Sequence, residues 1–233
     1  MNWVGWLDWL ALGIGCLTML IYEVRFRRLP QKAPARFSRP VHATIRARWA
    51  RSLMQRSGQE ILAVQTLRNS VMSATIIGST AAIALMGTIS VTSPGIDLHQ
   101  TSAMELESLL NLKPRGVLVA LMILVLFATF VLSVMAVRFF NHTGYIISMP
   151  SNGQRDERLI AAAQFYLVQA GNYYSMSMRS FLWIAPLAAG LVFPLLLPFA
   201  ALALVWVLVW FDRARLNLSD LPDDTNSGPP APT

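Results

Sequence analysis

From Val117 to Val137 the chain carries no charged residue. A run of ~20 apolar residues matches a hydrocarbon core ~30 Å thick, and backbone groups inside such a core must be satisfied within the segment itself. A helix is therefore required here, and three further apolar stretches meet the same condition. The predicted crossings lie at about 3–22, 66–91, 116–138 and 181–211. The expected fold class is all-α, a polytopic membrane protein with four transmembrane helices plus two cytoplasmic-side interfacial helices at about 40–57 and 155–179. Residues 1–215 then form a single membrane domain, followed by a tail at 216–233.

Composition agrees with this reading. Of 233 residues, 55% are hydrophobic and only 13% charged, whereas a soluble domain carries roughly 25% charged residues. The net charge of +7 would point to nucleic acid in a soluble protein. Here the cations adjoin apolar runs, so anionic lipid is the expected partner and no nucleic acid is expected. Cys16 is the single cysteine, which rules out an intrachain disulfide. It follows Gly13-Ile14-Gly15, a faint likeness to a lipoprotein cleavage box. The first basic residue is Arg25, so the positive start of such a signal is absent and the segment reads as a retained anchor.

Charge also orients the chain. Arg25, Arg27, Arg28, Lys32, Arg36, Arg39, Arg46, Arg48, Arg51 and Arg56 follow the first crossing with no Asp or Glu among them. The positive-inside rule puts this segment in the cytoplasm and the N-terminus outside, as in a bacterial inner membrane. Ser38 and Pro40 open a helix there that Ser57-Gly58 ends. Val41, Ile45, Trp49 and Leu53 recur on one face of it. The expectation is a basic amphipathic helix in the membrane plane, with Arg46, Arg48, Arg51 and Arg56 on lipid head groups.

The loop after Ser93-Pro94-Gly95 holds Asp97, Glu105 and Glu107 against Lys113 and Arg115 and fits the outer side, with a short helix over 104–112. Ser151 and Gln154 have capping-box spacing before the helix at 155–179. The stretch 181–211 contains Pro186, Pro194 and Pro198. One kinked, tilted crossing is expected in preference to a re-entrant hairpin, whose half-spans would need protein cover. The tail, with Asp220, Asp223, Asp224 and Pro229-Pro230, reads as disordered and outside, against the mild contrary signal of Arg213 and Arg215. No internal repeat supports an inverted-repeat transporter.

Ile61-Leu62-Ala63-Val64-Gln65-Thr66-Leu67-Arg68-Asn69-Ser70-Val71-Met72 resembles the membrane-protein family catalogued as domain of unknown function 599. So do Arg138-Phe139-Phe140-Asn141-His142-Thr143-Gly144-Tyr145 and the run Gly171-Asn172-Tyr173-Tyr174 that leads to Arg179 and Trp183. The resemblance implies a multi-span fold and no assigned activity.

Three polar patches are the candidate sites. Gln65, Arg68 and Asn69 lie at the inner end of the second crossing, with Ser73 on the same line. An arginine there either snorkels to the interface or faces a cavity that attracts anions. Arg138, Asn141 and His142 follow the third crossing, but with three histidines in the chain no metal site is expected. Asn172, Tyr173, Tyr174 and Arg179 form the third patch, either as packing or as part of a pocket shared with the first. Thr66, Ser70, Ala74, Gly78 and Ala82 make a small-residue stripe suited to close helix packing.

No cofactor, phosphate-loop, zinc-protease or hydrolase signature is present, and no carboxylate pair falls inside the predicted crossings. The leading expectation is a homo-oligomeric channel or conduit, anion-attracting at its inner end. The alternatives are a non-catalytic accessory subunit of a larger inner-membrane complex and a membrane-embedded enzyme or lipid-handling protein acting on phosphate head groups. The last would use Arg68, His142 and Arg179.

Overall fold

The computed structural model describes residues 3–32, 38–55, 58–92, 113–149 and 156–212. Among them the regular elements are all α-helices: α1 (Trp3–Lys32), α2 (Ser38–Gln55), α3 (Glu60–Thr92), α4 (Pro114–Ile147), α5 (Glu157–Leu182), α6 (Ile184–Val192) and α7 (Leu196–Asp212). Four helical runs are long and apolar enough to cross a membrane: Gly5–Arg25, Glu60–Thr92, Pro114–Ile147 and Glu157–Val192. The acidic loop, the short helix at 104–112, the Ser151–Gln154 cap, Arg56 and the tail lie outside the described residues.

α4 is the spine. It starts with Pro114, whose missing N–H is harmless in a first helical turn. α3 lies antiparallel on one side: Leu67 meets Gly144, and Ser133 stands against Gly78. α5 lies antiparallel on the other side, where the Ser133 and Ser177 hydroxyls are 2.6 Å apart and Ser177 donates to the Thr129 carbonyl at 3.2 Å. These hydroxyls are buried and bonded, as groups in an apolar interior must be. At 1.5 Å per residue the 34 residues of α4 span roughly 51 Å. That exceeds a bilayer core, so the end carrying Arg138 and His142 projects past it.

α2 packs on this projecting end. It runs antiparallel to α5, with Gln164 donating to the Ala47 carbonyl at 2.9 Å and Arg51 paired to Glu157 at 3.1 Å. Its apolar Ala50, Leu53 and Met54 share a core with Ile160, Ala163, Leu167 and Ala170 of α5. An amphipathic face is satisfied equally by lipid or by another helix. Here it is turned onto protein, with α2 lying along α5.

The boundaries expected near the C-terminus are redrawn. The helix expected over 155–179 is longer, since α5 starts at the Asp156 cap and passes through Trp183 into α6. Trp183 keeps helical dihedrals of φ −65° and ψ −14°. The fourth long apolar run is thus Glu157–Val192, 36 residues, and the stretch 181–211 is divided between α6 and α7. It breaks at Phe193, whose extended φ −144° and ψ 111° are what a residue before proline adopts. Pro186 and Pro198 fall in the first turns of α6 and α7, where no helix bond is lost.

α7 folds back on α6, Leu197 lying against Gly190, and packs beside α1. Leu197 lies against Gly15, and Asp212 bonds Tyr22, so α1 and α7 run parallel. Along the stretch where α1 and α7 pair, Gly15 and Leu197 mark one end and Tyr22 and Asp212 the other. Outward faces are apolar, as with Ile83 at 73% and Trp206 at 73% exposure. Such a surface needs lipid around it.

Candidate functional site

The site begins with a register detail in α2. Arg46 follows Ile45 on the flank of the apolar face, so its side chain turns along α5 and not out to solvent. Gly171 of α5 makes room for it. A Cβ at position 171 would stand 2.1 Å from a guanidinium nitrogen, so any larger residue there would expel Arg46. The guanidinium is half-buried, and the loss of water lowers its pKa. Among the described residues no carboxylate forms an ion pair with it.

Arg46 forms one wall of a crevice of about 490 Å³. α2 adds Ile45 and Trp49; α3 adds Thr66, Leu67, Asn69, Ser70 and Ser73; Phe140, Leu167 and Tyr174 come from α4 and α5. The hydroxyls of Thr66, Ser70 and Ser73 donate to the carbonyls of Leu62, Thr66 and Asn69 at 2.9, 3.1 and 3.0 Å. Their protons are spent on the helix itself. The donors left to a ligand are the Arg46 fork, the Asn69 amide, the Tyr174 phenol and the Trp49 indole. No acidic residue lines the crevice, and Arg46 is the charged group in its lining.

The crevice unites part of the first patch with part of the third. Asn69 and Ser73 enter it, whereas Gln65 and Arg68 stay exposed on α3 outside its lining. Tyr174 enters it, whereas Tyr173 stacks on Phe139 at 5.2 Å and Asn172 donates to Gln169 at 3.4 Å. Arg138, Asn141 and His142 are exposed on α4, the His142 ring lying 5.6 Å from Tyr166 and 6.4 Å from Tyr145. Of the arginines assigned to lipid, Arg46 turns inward, Arg51 pairs with Glu157 and Arg48 has a bonding partner. Ala74 and Gly78 of the small-residue stripe are buried inside the chain, Gly78 against α4. Ala82 is half-buried, Ser70 lines the crevice and Thr66 is exposed at its edge.

Arg179 lies elsewhere. It donates to Asp212 and to Tyr22, and Tyr22 donates to Asp212 at 2.6 Å. Trp183 closes the group by donating to Glu23 at 3.2 Å. This knot joins α1, α5 and α7, with the Arg179 and Asp212 side chains 12% and 13% exposed. Asp212 escaped the sequence reading because it follows the apolar run by one position. A lone carboxylate closing such a run was the available signal. No group of three or more His, Cys, Asp or Glu residues fit to hold a metal occurs among the described residues.

Helical runs of crossing length, lipid-facing apolar flanks and a polar crevice at one end define a multi-pass helical membrane protein. A family profile described as protein of unknown function, DUF599, matches residues 10–216, and the chain belongs to that family. No curated protein and no solved structure matches it.

Proposed function

We propose that this protein is a lipid-handling membrane protein whose crevice binds a phosphate-bearing anion, without transforming it. The observation that carries the reading is Arg46: a partly desolvated guanidinium, held over Gly171, with amide and phenol donors beside it and no acidic counterpart. A buried cation without a countercharge is unfavourable, and an anionic ligand supplies the missing charge. The binding role is preferred to catalysis because the lining offers no carboxylate, imidazole or thiol for acid–base or nucleophilic work. The oligomeric conduit loses its main motive, since the buried part of the small-residue stripe is occupied within one chain.

The positive-inside argument places α1's start outside and the α2 end of the bundle in the cytoplasm, in a bacterial inner membrane. The parallel course of α1 and α7 then brings Asp212 toward the cytoplasmic side, in agreement with Arg213 and Arg215.

The test is ligand-induced stabilisation of the purified full chain in non-ionic detergent, titrated with glycerol 3-phosphate and with phosphatidylglycerol. At least one should raise the melting temperature in a saturable way. Arg46→Gln should weaken that ligand about tenfold or more, the worth of a charge-assisted hydrogen bond. Arg51→Gln should leave it unchanged. Equal binding by the Arg46→Gln protein would overturn the assignment.

A further inference from the structure

The crevice has a depth and a direction, and together they specify its occupant. The charge-free run of α4 ends at Arg138, and Phe140 in the crevice lies two residues beyond it. Gly171, which carries the Arg46 guanidinium, is two residues before Tyr173, and Tyr173 stacks on Phe139. Arg46 is thus level with the edge of the hydrocarbon core, the depth at which a phospholipid holds its phosphate.

The direction comes from α3. Asn69 is exposed at the rim, and Ser73, Ile76, Thr80 and Ile83 follow it at three- and four-residue steps along one side of the helix toward the bilayer. Ile76 and Ile83 are 62% and 73% exposed. Thr80 turns its hydroxyl back to the Ile76 carbonyl at 2.8 Å, so it presents no unsatisfied donor along this track. A polar receptor at head-group depth therefore continues without interruption into an apolar track at acyl-chain depth.

Building on the anion-receptor reading, we propose that the ligand is an anionic glycerophospholipid. Its phosphodiester sits between Arg46, Asn69 and Tyr174, and one acyl chain lies along Ile76 and Ile83. A water-soluble phosphate ester would use the crevice and leave the track empty. The volume of about 490 Å³ admits a glycerophosphate head group.

The experiment uses the full chain in phosphatidylcholine nanodiscs doped with phosphatidylglycerol that carries a photoreactive group midway along one acyl chain. Cross-linked residues are mapped by mass spectrometry. Cross-links should concentrate on α3 between Ser73 and Ile83. They should fall about tenfold in Arg46→Gln and also in Gly171→Ala, which displaces the guanidinium without altering it. Arg51→Gln should match the parent chain. Cross-links spread over all lipid-facing helices, indifferent to Arg46, would overturn the inference. So would competition by glycerol 3-phosphate as effective as that by unlabelled phosphatidylglycerol, and in that case the anion receptor itself would stand. If Arg46→Gln weakened neither the lipid nor the soluble ester, both the receptor and its lipid would be refuted.

Discussion

Gly171 and Arg46 act as one unit at the residue scale. A methyl group at position 171 collides with the tip of a flexible side chain and with no backbone. Although Gly171 is buried, Gly171→Ala should therefore change stability by less than about 1 kcal/mol, the flexible side-chain tip giving way and alanine favouring the helix. It should nevertheless remove anion binding. Thermal melts with and without ligand separate the two effects. Burial lowers the Arg46 pKa from its ordinary value. For a cation the sign is unfavourable: the unfolded chain holds the proton more tightly, so the folded chain carries a deficit that eases only as pH climbs toward that value. Arg46 itself then keeps its charge over roughly pH 6–9, and binding of a fully ionised phosphodiester should be flat across that window. Isothermal titration in that range checks it, and a fall centred near neutrality would implicate a different group. The Arg179–Asp212 pair behaves differently because both partners are buried. Arg179→Leu strands the carboxylate and should cost about 3 kcal/mol, the lower end for a broken buried pair, since Tyr22 still donates to Asp212. The double variant Arg179→Leu with Asp212→Leu should recover most of that loss in denaturant unfolding of the micelle-bound protein.

At the element scale, close approach between helices depends on size more than on polarity. A Cβ at Gly78 would sit 3.0 Å from the Ser133 side chain, whereas Gly87 has open space around it. Gly78→Leu should therefore lose about 1–3 kcal/mol by overpacking the α3–α4 seam, while Gly87→Leu, nine residues further along α3, leaves it intact. The same unfolding assay compares them. This seam was legible in part: the spacing of Ala74 and Gly78 announces a helix contact, but nothing in one strand of sequence names the partner. α2 is the parallel case. The stripe Val41, Ile45, Trp49 and Leu53 fixes an apolar face, and only the fold shows α5 covering it. The helix break inside 181–211 was hidden for a related reason. Apolar side chains of the first part of α5 face α2 and α4, which gives 155–179 the moderate hydropathy of an interfacial helix although it continues to Val192. The candidate site was half legible. Asn69 and Tyr174 stand in recognisable polar clusters, whereas Arg46 is one arginine among nine in a basic segment. Its inward turn depends on the missing side chain at Gly171, 125 residues away in the sequence.

For the whole molecule, the directions of the helices make a topology that labelling can check. In a Cys16→Ser background, cysteines placed at Arg48 and at Arg215 should react with a membrane-impermeant maleimide from the same side, and one at Asn2 from the other. Reaction of Asn2 and Arg215 from one side would contradict the parallel course of α1 and α7. The knot at Tyr22, Arg179 and Asp212 has a further consequence in time. Asp212 is translated 33 residues after Arg179 and is the last position of α7. A nascent chain halted inside α7 holds Arg179 in the bundle without its carboxylate, while Tyr22 has lost the acceptor of its hydroxyl. Such a fragment is less stable than the full chain even though its long apolar runs are all present. Completion of the polypeptide is thus written into its folding stability, and a membrane protease that samples local unfolding can discard interrupted translation products without recognising any sequence tag.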